Sequence, residues 1–189
     1  FLVAGIVNIT PDSFSDGGLY LETDKAIAQA LKLVADGADI LDLGAESTRP
    51  GSQSVCPELQ IERLLPVLQG IRAKTTTPVS IDTTSSTVAE FMLQNGANIV
   101  NDISAARFDD KILSVCKQYN APIVLMHMQG TPQNMPADPQ YADVVTEVCD
   151  LLLNAAQKAE KTGLANNQIL LEPGPAFGQT LKHTLALVQ

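Results

Sequence analysis

Apolar positions along this chain follow two different periods. Short, mostly apolar runs occupy residues 2–7, 39–43, 78–82, 98–103, 122–126 and 168–171, a length that suits buried β-strands. Between them the apolar residues recur at helical spacing. Residues 24–36 set Ile27, Leu31 and Val34 on one face and stop at Gly37. Residues 57–74 carry Leu64, Leu65, Leu68 and Ile71, with Pro66 expected to kink or split the helix. Further helices are predicted over 85–95, 109–119 and 143–162, stopping at Gly96, Asn120 and Gly163, and another starts near Lys182.

An internal repeat strengthens this pattern. Residues 36–42, Asp-Gly-Ala-Asp-Ile-Leu-Asp, resemble residues 95–101, Asn-Gly-Ala-Asn-Ile-Val-Asn. Each copy is a helix end, a tight turn and a strand that closes on a polar side chain. Strand and helix alternating in this way predict parallel strands joined by right-handed crossovers. An open doubly wound sheet and a closed (β/α)8 barrel both fit. No Gly-x-Gly-x-x-Gly follows the first run, which weakens the dinucleotide-binding form of the open sheet. Asn8, Glu46, Asp82, Asn101, His127 and Glu172 stand at or just beyond the C-terminal ends of the runs, and in a barrel those ends surround one site. The predicted fold is therefore α/β, a TIM barrel forming a single domain over residues 1–189, seen through about six βα units. A whole barrel has eight strands and takes roughly 250 residues. Strands seven and eight are thus expected to be missing, and the stretch to belong to a longer protein or to pair with a second copy.

Composition narrows the function. The 189 residues are 45% hydrophobic and 17% charged, enough for an ordered core. No apolar run nears the ~18 residues that span a bilayer, and no basic segment precedes the short opening run, so neither membrane nor secretory signal is expected. Cys56, Cys116 and Cys149 make no metal or disulfide pattern, which points to a reducing cytoplasm. Cys116 and Cys149 fall among apolar helical residues and are expected to be buried. The net charge of −9 argues against nucleic acid while leaving room for a small phosphorylated substrate.

The chemistry gathers in the loops after the runs. Residues 8–18, Asn-Ile-Thr-Pro-Asp-Ser-Phe-Ser-Asp-Gly-Gly, combine an amide, hydroxyls, carboxylates and one ring, a set suited to a polar ligand. The plainer alternative is an ordinary turn built on Pro-Asp and Gly-Gly. In the loop 44–51, Ser47, Thr48 and Arg49 could hold a phosphate or carboxylate; an exposed arginine with a weak surface pair is the alternative. Asp82 and Asn101 end neighbouring strands, and together they match a heterocycle edge bearing adjacent N–H donors and a carbonyl. Helix capping by Asp82, Thr83 or Thr84 competes with that reading. His127 could ligate metal or shuttle protons, but it has no second histidine nearby and no carboxylate pair to complete a zinc site, so a structural or substrate-shaping role is preferred.

Taken in order, the segment 5–18, the loop Glu-Ser-Thr-Arg-Pro-Gly at 46–51, Ile-Asp-Thr at 81–83, Asn-Asp-Ile at 101–103 and Met-His-Met-Gln-Gly at 126–130 resemble the dihydropteroate synthase family. The resemblance implies a (β/α)8 barrel that couples 6-hydroxymethyl-7,8-dihydropterin pyrophosphate to p-aminobenzoate, the target of sulfonamides. It implies that Asp82, Asn101 and Glu172 hold the pterin while Met126 and Ile103 line its pocket. Asn8 would meet Mg²⁺ and the pyrophosphate, and Thr48 and Arg49 the leaving phosphates. Phe14, Pro50 and Phe177 would border the aminobenzoate, with Ser13 and Asp16 in a loop that closes over both substrates. A homodimer is implied as well. A pterin- or folate-binding barrel without this activity is the alternative, although the two most specific loops, 8–18 and 46–51, are intact.

Three features depart from the family pattern. Its usual Asp-Pro-Gly-(Ile/Phe)-Gly-Phe-Gly-Lys reads Glu-Pro-Gly-Pro-Ala-Phe-Gly-Gln at 172–179. Ala45 replaces a glycine and would be strained if its φ were positive. The Lys and Arg-x-His of the last two strands have no counterpart here.

Overall fold

A computed structural model of the chain describes residues 1–10, 18–49 and 51–188. Six strands alternate with six helices: β1 Ala4–Asn8, α1 Gly18–Ala35, β2 Ile40–Gly44, α2 Pro57–Arg72, β3 Val79–Asp82, α3 Ser86–Gln94, β4 Ile99–Asp102, α4 Lys111–Gln118, β5 Ile123–Met126, α5 Val144–Thr162, β6 Ile169–Glu172 and α6 Leu181–Leu187. Every pairing is parallel, and the strand order is β1-β2-β3-β4-β5-β6. A doubly wound sheet reverses direction at a switch point, whereas a barrel adds strands in sequence. The order is that of the barrel, as the sequence predicts, with β1 and β6 as its two edges.

Alternation along each strand sorts the side chains. Val7, Leu41, Leu43, Val79 and Ile81 point outward and are sealed under α1, α2 and α3 with Leu64, Leu68, Ile71 and Met92. Val100, Ile123 and Leu125 do the same beneath α4 and α5. The inward set is polar and partly open: Asn8, Asp42, Ser80, Asp82, Asn101 and Glu172. Ile6 and Leu170, also inward by alternation, keep 60% and 48% of their surface exposed, as expected on strands at the sheet's edges.

Helix termini follow their local chemistry. Asp143 accepts from the Val145 and Thr146 amides at the start of α5, and Gly163 closes it at φ +98°. Ser85 caps α3 by accepting from the Val88 amide, so Asp82, Thr83 and Thr84, the candidates from sequence, leave that role to it. Pro66 does not split α2, which runs unbroken from Pro57 to Arg72. Full burial of Leu64, Val67, Leu68 and Ile71 offsets the single hydrogen bond that proline removes. The buried stripe of α1 runs through Ala26 and Ala30, with Ile27 and Val34 at its margin, so it lies slightly off the predicted face. Cys149 is exposed, contrary to expectation, while Cys116 is buried.

Candidate functional site

The strand register sets four positions in one row. Asn8 pairs with Gly44, Gly44 with Asp82, and Asp82 with Asn101. Gly44 keeps the middle of this row open. A Cβ there would lie 3.4 Å from both Asn8 Oδ1 and Asp82 Oδ2. One layer deeper, Asp42 pairs with Ser80, and above the row Glu172 pairs with Met126. Asn101 reaches diagonally across β3 and donates its Nδ2 to Asp42 Oδ2 at 3.0 Å. Asn101 Oδ1 is buried without a hydrogen-bond partner among the described residues. Asp42 Oδ1 and Ser80 Oγ, on paired residues, form no close bond either, although the Ser80 hydroxyl still favours the Asp42 carboxylate. Such orphaned groups cost free energy and suit a ligand that supplies their partners.

Carboxylates crowd this interior. Burial pushes the Asp82 carboxyl well above its ordinary 3.8, and Asp42, Glu46, Asp102 and Glu172 add repulsion. Burial also raises Asp42, Glu46 and Glu172, with Asp42 adding repulsion on Glu172. Asp82 and Glu172 therefore share one field. No described cation forms an ion pair with any of these groups.

Beside Asp82 opens a cleft of about 340 Å³, lined by Glu46, Thr48, Gln60, Asp82, Ile103 and Phe108 among others. Gln60 on α2 braces its wall, giving its amide to Glu46 Oε2 at 2.9 Å and accepting from Thr83 Oγ1 at 3.0 Å. Arg63 donates to the Ala45 carbonyl at 2.9 Å, and Ala45 is not among the residues with positive φ. The strain expected at Ala45 is absent. Among the alanines, positive φ occurs instead at Ala105, Ala106 and Ala176, the last at φ +71° within the departing loop 172–179.

The loop after β6 is fitted tightly against β5. A Cβ at Gly174 would come within 2.0 Å of the His127 carbonyl, so only glycine permits this docking. Phe177 packs with Ile103, Met126, Met128 and Met135, one apolar wall that unites three of the predicted pocket residues. Gln179 Nε2 donates to the Pro173 carbonyl at 2.6 Å and lies 3.3 Å from His127 Nδ1. His127 is 3% exposed, and burial, then the nearby Arg107, lower its pKa; the histidine holds the loop.

Thr48 reaches the cleft, but Arg49 is exposed and forms no ion pair with a described residue. Ser13, Phe14, Asp16 and Pro50 lie outside the described residues. Asp42, Ser80 and Gln60 carry no site expectation from the sequence, and Thr83 is expected there only as a helix cap and as part of the motif at 81–83. The internal repeat held a signal for one of them, because its two copies end on Asp42 and Asn101, the hydrogen-bonded pair.

Residues 4–189 match the family described as pterin binding enzyme. Dihydropteroate synthase from Synechocystis is 43% identical over 187 residues, which cover 99% of this chain and 65% of the relative. The structure of Xanthomonas albilineans dihydropteroate synthase with 4-aminobenzoic acid superposes with a TM-score of 0.91 at 39% identity, covering 99% of this chain and 66% of that one. The Yersinia pestis dihydropteroate synthase structure with a sulfonamide drug gives a TM-score of 0.90 at 35% identity, covering 99% and 68%. The chain thus spans about two thirds of the length of the relatives it matches.

Proposed function

The chain belongs to the pterin-binding enzyme family, and from that premise we propose that it serves the dihydropteroate synthase reaction. In that reaction p-aminobenzoate displaces pyrophosphate from 6-hydroxymethyl-7,8-dihydropterin pyrophosphate and 7,8-dihydropteroate forms. The observation that carries the reading is the row Asn8, Gly44, Asp82 and Asn101, with unpartnered buried acceptors beside it. Asp82 and Asn101 hold the pterin edge, Glu172 meets it from β6, and Ile103, Met126 and Phe177 form the apolar wall. Thr48 and Arg49 take the departing phosphates, and an exposed guanidinium free of described ion pairs suits that task.

No protein nucleophile is required. The electron-rich pterin stabilises positive charge at its methylene carbon as pyrophosphate leaves, and the arylamine then attacks. Ser13, Phe14, Asp16 and Pro50 complete the aminobenzoate side in this proposal. The donor set also fits Mg²⁺. Among the described residues no three His, Cys, Asp or Glu groups form a metal cage, while the Asn8 Oδ1 beside Gly44 is a hard oxygen facing the mouth. An ion that keeps its waters and binds mainly through substrate phosphates needs no more from the protein. When bound it neutralises charge on the leaving pyrophosphate.

Two further βα units would complete the barrel, covering the outer edges of β1 and β6. The same reading carries the homodimer that the family resemblance implies. No described helix is long and apolar enough to cross a membrane, and three free cysteines support a reducing, cytoplasmic compartment. Sulfonamides would compete at the aminobenzoate side. The deciding assay measures pyrophosphate release by the chain extended through eight strands. Release that depends on both p-aminobenzoate and Mg²⁺ is expected, and no release would eliminate the reading. A pterin-binding barrel without synthase activity is the second reading, favoured by Glu172 and by the strained Ala176. Calorimetry in which bound pterin never supports p-aminobenzoate binding would select it.

A further inference from the structure

The Asn101 amide has two orientations, which exchange its donor and its acceptor. Their shapes are almost identical, so neighbours decide between them. Its Nδ2 lies 3.0 Å from Asp42 Oδ2, and its Oδ1 is buried without a described partner. Asp42 is 9% exposed and reaches Asn101 from one layer deeper and two strands away. Turning the amide over would set its carbonyl oxygen against a carboxylate oxygen. Ser80, on the strand between and in register with Asp42, also favours that carboxylate through its hydroxyl.

We propose that Asp42 is a positioning residue that locks the Asn101 amide with its carbonyl oxygen turned to the bound heterocycle. The inference rests on the reading that Asp82 and Asn101 hold the pterin, and it deepens it. With the amide locked, Asn101 and Asp82 both present acceptors from adjacent positions of one row. The site therefore selects a ring edge carrying a run of N–H donors, as a 2-amino-4-oxo heterocycle does. It rejects rings whose nitrogen at the Asn101 position is an acceptor, because two lone pairs would then meet in a buried place. The other N–H of Asn101 stays available for a carbonyl.

The test is a double-mutant cycle on the complete protein, titrated calorimetrically with 6-hydroxymethylpterin. Asp42→Asn keeps size and shape but offers Asn101 a donor as readily as an acceptor, which frees the amide to turn. Binding to Asp42→Asn is expected to weaken about tenfold or more, the scale of one lost buried acceptor pairing. Asn101→Ala should weaken it too, and the double variant should bind no worse than Asn101→Ala alone. A residue that merely supports the fold, or touches the ligand itself, gives losses that add. Additive losses, or unchanged binding to Asp42→Asn, overturn the inference. Unchanged binding to Asn101→Ala instead overturns the underlying assignment of the pterin site. Should Asp42→Asn not fold, Asp42→Ser runs the same cycle with the same criteria.

Discussion

Glu172 shows how much one methylene can matter. It is half-buried, in register with Met126, and it shares the interior with Asp42 and Asp82. The family pattern has the shorter aspartate at this point, so the longer side chain brings a carboxylate further into the pterin space. Glu172→Asp is expected to tighten pterin binding by about 1–3 kcal/mol, the range for restoring a buried polar pairing. Isothermal titration reads this directly, and an unchanged affinity would mean that the loop has already adjusted. The identities of Asp82, Asn101 and Glu172 as inward groups were legible because each ends an apolar run. Their mutual arrangement was not. Hydrogen bonding between Asp42 and Asn101 crosses one intervening strand and one layer, a relation that depends on register rather than on spacing along the chain.

Among the elements, the strands were the easiest to foresee. Buried parallel strands read as continuous apolar runs, and all six ran within one or two residues of expectation. Helix interiors were harder, because burial decided what propensity left open: Pro66 stayed within α2, and the α1 stripe moved to Ala26 and Ala30. The loop from β6 to α6 illustrates a third case. A departure at 172–179 was visible, but only the backbone reveals that strain sits at Ala176, φ +71°, and not at Ala45. A left-handed non-glycine residue costs about 1–2 kcal/mol, and glycine returns part of that through its freer unfolded chain. Ala176→Gly is therefore expected to stabilise the chain by about 0.5–1 kcal/mol in urea unfolding. Destabilisation would show that the exposed alanine carries no strain.

For the molecule as a whole, the acid-rich interior governs how stability responds to pH. Asp82 is protonated in the folded chain at pH values where the unfolded chain has already ionised near 3.8. The folded state then binds more protons, so stability falls as pH rises from that value through the folded titration, and levels off above it. Asp42 and Glu172 act in the same direction. Asp109 and Asp143 act in the opposite sense from the surface, where their effect is weaker. Replacing Asp82 by Asn is expected to raise the melting temperature of this chain more at pH 7 than at pH 4. Equal shifts at the two pH values, followed by circular dichroism, would contradict the account. Net charge gave the sign of this acidity, yet it could not reveal that Asp42, Asp82 and Glu172 share the barrel interior while most other described carboxylates are exposed.

Crowding around Asp82 carries one more consequence, for thermochemistry. Over the pH range in which burial keeps that carboxyl protonated, docking a ligand edge made of donors, which needs it ionised, expels a proton into the medium. Heats recorded on mixing then include neutralisation by whichever buffer is present. Two buffers with different ionisation enthalpies would report different apparent heats for one and the same event.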